Sequence, residues 1–280
     1  MQTLQAVITG SIQGLSEFLP ISSSAHIVFS NTLYNLITNS THTLEANSEE
    51  IFFDIMVHLA TLIAVLIYFF SDLKTIFIDF FKSLKEKKYE NENFKLTLYI
   101  MLSTVITGVV GLLIKDKVEN LINYPKYICF FLFGTGLVLL FSEKFYKGNK
   151  KLNLKTTILV AIAQGLAVFP GFSRSGLTIS TALFNGMDRV KAARFSFLMS
   201  IPIILLASMI YPLIEIDFSE FSTYNFKAII LGFLASFVVG YLCIKYFMKM
   251  LSKISLKVFG YYCTVVSILL FLLFQFYYHI

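Results

Sequence analysis

Six long apolar stretches constrain this chain more than any other feature of its sequence. Each is long enough to cross a bilayer core of about 30 Å as an α-helix. They lie at about 51–70, 96–115, 126–142, 195–213, 227–247 and 257–277. With 56% apolar and 14% charged residues, the chain has more apolar surface than a soluble core of this length could bury. The sequence therefore predicts an all-α integral membrane protein.

Two further apolar regions, at about 3–37 and 156–186, are each interrupted midway by a polar motif. When Gln13 is aligned with Gln164 without gaps, the two motifs share Gln, Gly, Leu, Phe and two Ser. Each region predicts a re-entrant helical hairpin, because broken backbone at membrane depth must be buried in protein or face water. A duplicated, broken segment in two halves of a chain points to a functional site at membrane depth.

The placement of lysine and arginine predicts the orientation of these segments. Most of the basic residues fall on one side of the predicted spans, which the positive-inside rule assigns to the cytoplasm. The first hairpin is then expected to enter from outside and the second from inside. This arrangement predicts an inverted-topology repeat, in which each half is a re-entrant hairpin plus three transmembrane helices. Residues 1–142 form the first repeat and 156–280 the second.

The polar loops carry little further information. An interfacial helix is expected at about 73–84. The net charge of +6 is interpreted as an orientation signal, and no nucleic-acid partner is expected, because the basic residues lie in short loops without a patterned domain. The three cysteines lack metal-ligand spacing and are expected to be buried: Cys129, Cys243 and Cys263.

The two hairpin breaks predict a pocket for an anion. Pro20 and Pro170 cannot continue a helix, and serines follow both of them: Ser22, Ser24, Ser173 and Ser175. These serines suit the caps of the second arms, at about 24–37 and 175–185, or could donate to phosphate. Both helix N-termini would then face the midplane, where free N–H groups favour phosphate. Arg174 adds a planar cationic fork. Plain capping is the alternative for the serines.

Reactive groups accompany this pocket in the first motif. Glu17 would repel a phosphate unless it binds a cation, carries a proton or acts as a base, and Mg²⁺ or Ca²⁺ would remove the conflict. Ser23, which aligns with Arg174, is the candidate nucleophile, and His26 can exchange a proton with it or with water. The alternatives are a structural Glu17–Arg174 ion pair and a satisfied core histidine. Asp54 and His58 are interpreted as interface or supporting positions rather than catalytic ones.

The motifs at 17–26 and 170–178 resemble the signature motifs of the bacterial undecaprenyl-diphosphate phosphatase family, also called the bacitracin resistance protein family. The resemblance also includes 192–202 and extends along essentially the whole chain. It implies removal of the terminal phosphate from undecaprenyl diphosphate, which recycles the lipid carrier for peptidoglycan synthesis, and bacitracin resistance on overexpression. It further implies a divalent cation, a multi-pass location in the bacterial plasma membrane and an active site that opens to the outer face.

Residue by residue, the resemblance gives these positions roles. Gln13 and Glu17 match the family's acidic/amide pair, and Ser23 and His26 match its serine and histidine. Its phosphate-binding segment matches Ser173, Arg174 and Thr178. The predicted catalytic residues are Glu17, Ser23, His26 and Arg174, with Glu17 as metal ligand. The predicted substrate-binding residues are Gln13, Ser22, Ser24, Ser173, Arg174, Ser175 and Thr178.

The rival class is a secondary transporter, such as a polyprenyl-phosphate flippase, because inverted repeats with re-entrant hairpins are typical of transporters. A transporter has no need for Ser, His and Glu grouped around the phosphate, so the phosphatase is favoured. The expected partners are the lipid substrate and membrane lipids. The sequence does not distinguish a monomer from a homodimer.

Overall fold

The protein is helical throughout the residues that the computed structural model describes, which are 2–38, 48–122, 124–216 and 218–278. Within these ranges the only β-type pairing is an isolated bridge between Lys150 and Met187. The helices are α1 (Thr3–Phe18), α2 (Ser23–Thr38), α3 (Ser48–Tyr68), α4 (Phe70–Glu86), α5 (Glu92–Ile122), α6 (Pro125–Lys144), α7 (Leu154–Leu166), α8 (Arg174–Phe184), α9 (Arg189–Glu215), a 3₁₀-helix (Phe218–Thr223), α10 (Phe226–Leu251) and α11 (Lys257–Tyr278).

Six of these helices are long and apolar enough to cross a membrane, which confirms the six predicted stretches. The candidate spans are Ser48–Tyr68, Glu92–Ile114, Lys126–Lys144, Arg189–Ile214, Phe226–Leu251 and Lys257–Gln275. Most of them run a few residues beyond the predicted limits, because polar residues at a helix end continue the backbone hydrogen bonds after the apolar stretch has stopped. The fold is therefore all-α, with the composition of a multi-pass membrane protein.

Both broken regions form the predicted pair of short helices, and the two breaks have the same hydrogen-bond pattern. In the first, Ser22 Oγ accepts from the Ala25 N–H at 3.3 Å and lies 3.2 Å from Ser24 Oγ. In the second, Ser173 Oγ accepts from the Gly176 N–H at 3.1 Å and lies 3.2 Å from the Ser175 hydroxyl. The first serine of each motif thus caps the second arm of its hairpin.

The first arm of hairpin α1–α2 packs closely on α10 through small residues. Gly10 and Gly14 are spaced by one helical turn, as are Gly232, Ser236 and Gly240 on the other helix. A Cβ atom at Gly10 would lie 2.2 Å from the carbonyl oxygen of Gly232. Small residues at this spacing let two helix backbones approach, which is how membrane helices gain van der Waals contact.

The helix pairing brings the tips of the two hairpins together. Helix α1 packs between α10 and α3, α7 packs on α5, and α3 contacts α9. At the tips, Ser24 Oγ accepts from the Gly171 N–H at 3.3 Å, and Ser175 Oγ donates to the Leu19 carbonyl at 3.1 Å. Gly171 has a φ of +104°, and a Cβ there would lie 2.3 Å from the Ile128 carbonyl oxygen. This break therefore requires glycine.

Ion pairs fasten the helix ends on the lysine-rich side. Arg189 of α9 binds Glu143 of α6 through two bonds of 2.8 and 2.6 Å, and Glu143 also accepts from the Leu256 N–H at 3.0 Å. Arg194 binds Asp72 of α4 at 2.6 Å. Helix α4 covers the interfacial helix predicted at 73–84. The three cysteines are free and buried, as expected.

Candidate active site

A cavity of about 360 Å³ lies where the two hairpin breaks meet. The first hairpin contributes Ser16, Glu17, Ser22, Ser23 and Ser24. The second contributes Gln164, Ala167, Val168, Pro170, Phe172, Ser173 and Arg174. Neighbouring helices complete the wall with His58, Thr107, Ser200, Ile203 and Ile204. The cavity lining thus combines polar and apolar side chains, which suits an amphiphilic ligand.

An ion pair between the two hairpins stands at the centre of this wall. Arg174 Nη2 lies 2.7 Å from Glu17 Oε1, and the two side chains are only 17% and 9% exposed. In the gapless alignment Glu17 corresponds to Val168, and Arg174 corresponds to Ser23. Each motif therefore supplies one charge, and the contact between the tips joins them.

The second carboxylate oxygen of Glu17 accepts a hydrogen bond from the candidate nucleophile, Ser23. Ser23 Oγ donates to Glu17 Oε2 at 2.9 Å, and Gln13 Nε2 donates to the same oxygen at 3.1 Å. Gln13 and Glu17 lie on one face of α1, because they are four residues apart. A serine hydroxyl that donates to a carboxylate is placed to lose its proton to that carboxylate.

Arg174, which lines the cavity, retains an unused donor. Its Nη1 atom is buried and has no hydrogen-bond partner among the described residues. A buried donor without a partner costs about 1–3 kcal/mol, and more when it is charged. Arg174 is also the first residue of α8, where the helix end favours an anion. The guanidinium can thus keep its bond to Glu17 and still donate to the oxygen of an anionic ligand.

His26 does not face this cavity. Its Nδ1 lies 2.8 Å from the Ser22 carbonyl oxygen, and its Nε2 lies 2.8 Å from the Tyr262 hydroxyl. Its ring also stacks on Tyr262, with 5.7 Å between the ring centroids. The expectation that Glu17, His26 and Arg174 share one pocket therefore holds for the ion pair alone, because α11 supplies a competing partner for the histidine. A role for His26 in proton transfer stays a prediction.

The histidine in the cavity wall is His58 rather than the predicted His26. It lines the cavity, and its Nδ1 lies 2.8 Å from the Asp54 carbonyl oxygen. The motifs give no signal for this residue. Its position in an apolar span did give one, since ionisable residues at membrane depth are costly and tend to be functional.

Gln164 and Thr107, neither of which is a predicted site residue, form a second polar group in the cavity wall. Gln164 Nε2 donates to Thr107 Oγ1 at 3.2 Å, and Gln164 Oε1 is buried without a partner among the described residues. The alignment of Gln164 with Gln13 is the sequence feature that indicates a place for Gln164 at the site.

Three of the predicted substrate-binding residues do not line the cavity: Gln13, which donates to Glu17, and Ser175 and Thr178. Thr178 Oγ1 donates to the Arg174 carbonyl at 2.7 Å and lies 2.6 Å from Ser196 Oγ. Ser175 is occupied with the Leu19 carbonyl. Ser175 and Thr178 therefore position Arg174 and the hairpin contact.

The donor set at the cavity fits a divalent cation only in company with a ligand. Among the described residues no group of three His, Cys, Asp or Glu side chains could hold a metal ion, and Glu17 is the one carboxylate in the cavity wall. Mg²⁺ commonly binds through one or two carboxylates while phosphate oxygens and waters fill its other positions. Glu17 fits such a shared ion.

Comparison with known proteins identifies the family of this chain. A family described as "Bacitracin resistance protein BacA" matches residues 6–269. The chain is 37% identical to an undecaprenyl-diphosphatase of Methanobrevibacter smithii over 284 residues, covering 97% of this chain and 98% of the relative. It is 38% identical to undecaprenyl-diphosphatase 2 of Halalkalibacterium halodurans, covering 98% and 97%. The chain therefore belongs to the bacitracin resistance protein BacA family.

Proposed function

We propose that this protein is a membrane phosphatase that hydrolyses undecaprenyl diphosphate to undecaprenyl phosphate and inorganic phosphate. The relatives named for this activity match the chain over nearly its full length. The observation that carries the proposal is the buried, unpaired Nη1 of Arg174 beside the Glu17–Ser23 pair. The product is the lipid carrier used in peptidoglycan synthesis, and faster recycling of this carrier accounts for bacitracin resistance.

The diphosphate binds at the polar side chains of the cavity. Arg174 keeps Glu17 through Nη2 and offers Nη1 to a phosphate oxygen, while the N-termini of α2 and α8 add favourable dipoles. The first isoprene units lie against the apolar wall formed by Ile203 and Ile204. A cation bound with the substrate would neutralise phosphate charge beside Glu17.

Glu17 serves as the base in this proposal. The attacking oxygen, from Ser23 or from water, gives its proton to Glu17 Oε2 and forms a bond to the terminal phosphorus. The bond from that phosphorus to the bridging oxygen breaks, and undecaprenyl phosphate leaves. If Ser23 attacks, water hydrolyses the phosphoserine in a second step. Substrate labelled in the terminal phosphate distinguishes the two routes, because only attack by Ser23 transfers label to the protein.

We infer an inverted-topology repeat for the two halves, 1–142 and 156–280. The shared hydrogen-bond pattern of the two breaks supports it, as does the pairing of helices. Helix α1 packs on α10, which packs on α3, and the corresponding helix α7 packs on α5, which packs on α9. Helices α6 and α11, which would be equivalent, pack on each other.

We infer a multi-pass location in the bacterial plasma membrane, with the lysine-rich loops in the cytoplasm and the site open to the outer face. Single cysteines test the orientation, because the native cysteines are buried. A cysteine at Asn47, which lies outside the described residues, should react with an impermeant thiol reagent added to intact cells. One at Asn91 or Asn149 should not. The opposite labelling pattern would reverse the orientation.

Phosphate release from a polyprenyl diphosphate by the detergent-purified protein tests the activity. Ser23→Ala and Arg174→Ala should lose most of the rate, whereas Ser252→Ala, in the exposed turn after α10, should keep it. Equal rates in all three variants would show that the cavity is not the catalytic site. Movement of polyprenyl phosphate across vesicles without phosphate release would favour the transporter.

A further inference from the structure

A second cavity, of about 480 Å³, lies at the lysine-rich end of the helices. We call it the basic cavity. Its rim is charged and comprises Glu90, Glu92, Lys95, Lys151, Lys191 and Arg194, together with Asn93. Its inner wall is formed by Leu96, Tyr99, Leu152, Met187, Phe195 and Leu198. It shares no lining residue with the cavity at the hairpin tips.

The rim has more cationic than anionic side chains, and its lysines form only weak ion pairs within the protein. Four cationic side chains face two carboxylates there, and one of the four, Arg194, is also paired with Asp72 of α4 at 2.6 Å. Glu90 and Glu92, which pair with Lys95 and Lys151, are 92% and 81% exposed. Exposed ion pairs contribute only about 0–1 kcal/mol to stability, so Lys95 and Lys151 can exchange these carboxylates for another anion. Lys191 forms no ion pair with any residue that the structure describes, so it is available to a ligand.

The inner wall of the basic cavity lies within the apolar part of the helices. Phe195 and Leu198 are 2% and 1% exposed, and lie about 9–14 Å along α9 from its first residue at a rise of 1.5 Å per residue. Tyr99 is at a similar distance along α5. The cavity therefore combines a cationic mouth at the ends of two candidate spans with an apolar interior between them. A small soluble anion would not contact the apolar residues of this interior, whereas an anion with an apolar chain would.

We propose that the basic cavity binds an anionic glycerophospholipid from the leaflet on the lysine-rich side. The headgroup phosphate contacts Lys95, Lys191 and the guanidinium of Arg194, and the first acyl carbons lie against Tyr99 and Leu198. Basic pockets between membrane helices on the cytoplasmic side are suited to this class of lipid. The bound lipid would bridge α5 and α9 beside α4, which the Arg194–Asp72 pair already ties to α9.

Thermal unfolding of the purified full-length protein tests the proposal. Phosphatidylglycerol should raise the unfolding midpoint with saturation, whereas phosphatidylcholine and inorganic phosphate should not. The double variant Lys95→Gln, Lys191→Gln should need at least about tenfold more phosphatidylglycerol, as expected for the loss of about 1.4 kcal/mol in binding. The matched double variant Lys249→Gln, Lys253→Gln removes the same charge from exposed positions on the same side and should respond like the native protein.

Three results would overturn the lipid site. An equal rise with phosphatidylcholine would show that any lipid suffices, and an equal rise with inorganic phosphate would show a free-anion site. A loss of response that is as large in the Lys249, Lys253 variant would show diffuse attraction to the protein surface. An unchanged unfolding midpoint without lipid establishes that each variant is folded.

Discussion

Replacing Arg174 by alanine separates what the central ion pair does for stability from what it does for the substrate. The change removes the 2.7 Å contact to Glu17, whose side chain is only 9% exposed, and so leaves a carboxylate buried without its opposite charge. Removing one partner of a buried pair costs roughly 3–5 kcal/mol. Ser23 and Gln13 still donate to Glu17, so we expect the lower end, about 3 kcal/mol. At about 2–4 °C per kcal/mol, the unfolding midpoint should fall by roughly 6–12 °C.

The same variant also loses the free donor of the cavity. A hydrogen bond to a charged group contributes about 1.5–3 kcal/mol, so loss of Nη1 should weaken diphosphate binding by roughly 10- to 160-fold. Turnover should be abolished, because Arg174 is the one permanent cation among the described residues that line the cavity. Arg174→Lys should restore only part of the binding, since an ammonium cannot hold Glu17 and phosphate with a planar fork.

A double variant distinguishes the two effects. Adding Glu17→Gln to Arg174→Ala removes the uncompensated charge and keeps an oxygen that can accept from Ser23. Its unfolding midpoint should recover toward the native value, while phosphate release stays lost. Thermal unfolding and phosphate release, measured on all four members of the cycle, give the coupling energy. A folded Arg174→Ala variant with near-native activity would refute the reasoning, as would a double variant no more stable than that single one.

The remaining predictions concern helix packing and the roles of the ionisable groups. Gly10→Ala should cost about 1–3 kcal/mol, because its Cβ would meet the carbonyl of the facing helix. Gly108→Ala, in the interior of α5 with nothing within 4 Å, should be neutral or slightly stabilising. Equal unfolding midpoints for the Gly10 and Gly108 variants would contradict the close packing. Glu17→Gln should lose activity together with its dependence on Mg²⁺ or Ca²⁺. Because His26 lies outside the cavity, His26→Ala should keep the metal dependence and lose less than the roughly 10²–10⁴-fold of a missing general acid or base. His58 lines the cavity, so His58→Ala should lower the rate more than His26→Ala does. The reverse order would support the predicted role of His26 in proton transfer.

Local sequence rules were sufficient for the helices and for the ends of the hairpin arms. The spans follow from uninterrupted apolar residues, and each lies close to its predicted limits. The second arms start at Ser23 and Arg174, one residue before the predicted positions, because a proline stops the first arm and a serine caps the second. These signals work because each depends on a few neighbouring residues.

The tertiary structure decided which side chains meet. Glu17 and Arg174 are 157 residues apart, and a repeat alignment predicts only that their hairpins approach. The orientation of His26 depends on Tyr262, which is 236 residues away, and the place of His58 at the wall depends on how α3 packs against α1. The basic cavity likewise exists only where α5, α9 and the loops beside them come together. Contacts of this kind are set by the packing of whole helices, and that packing depends on all their surfaces at once rather than on any local pattern of residues.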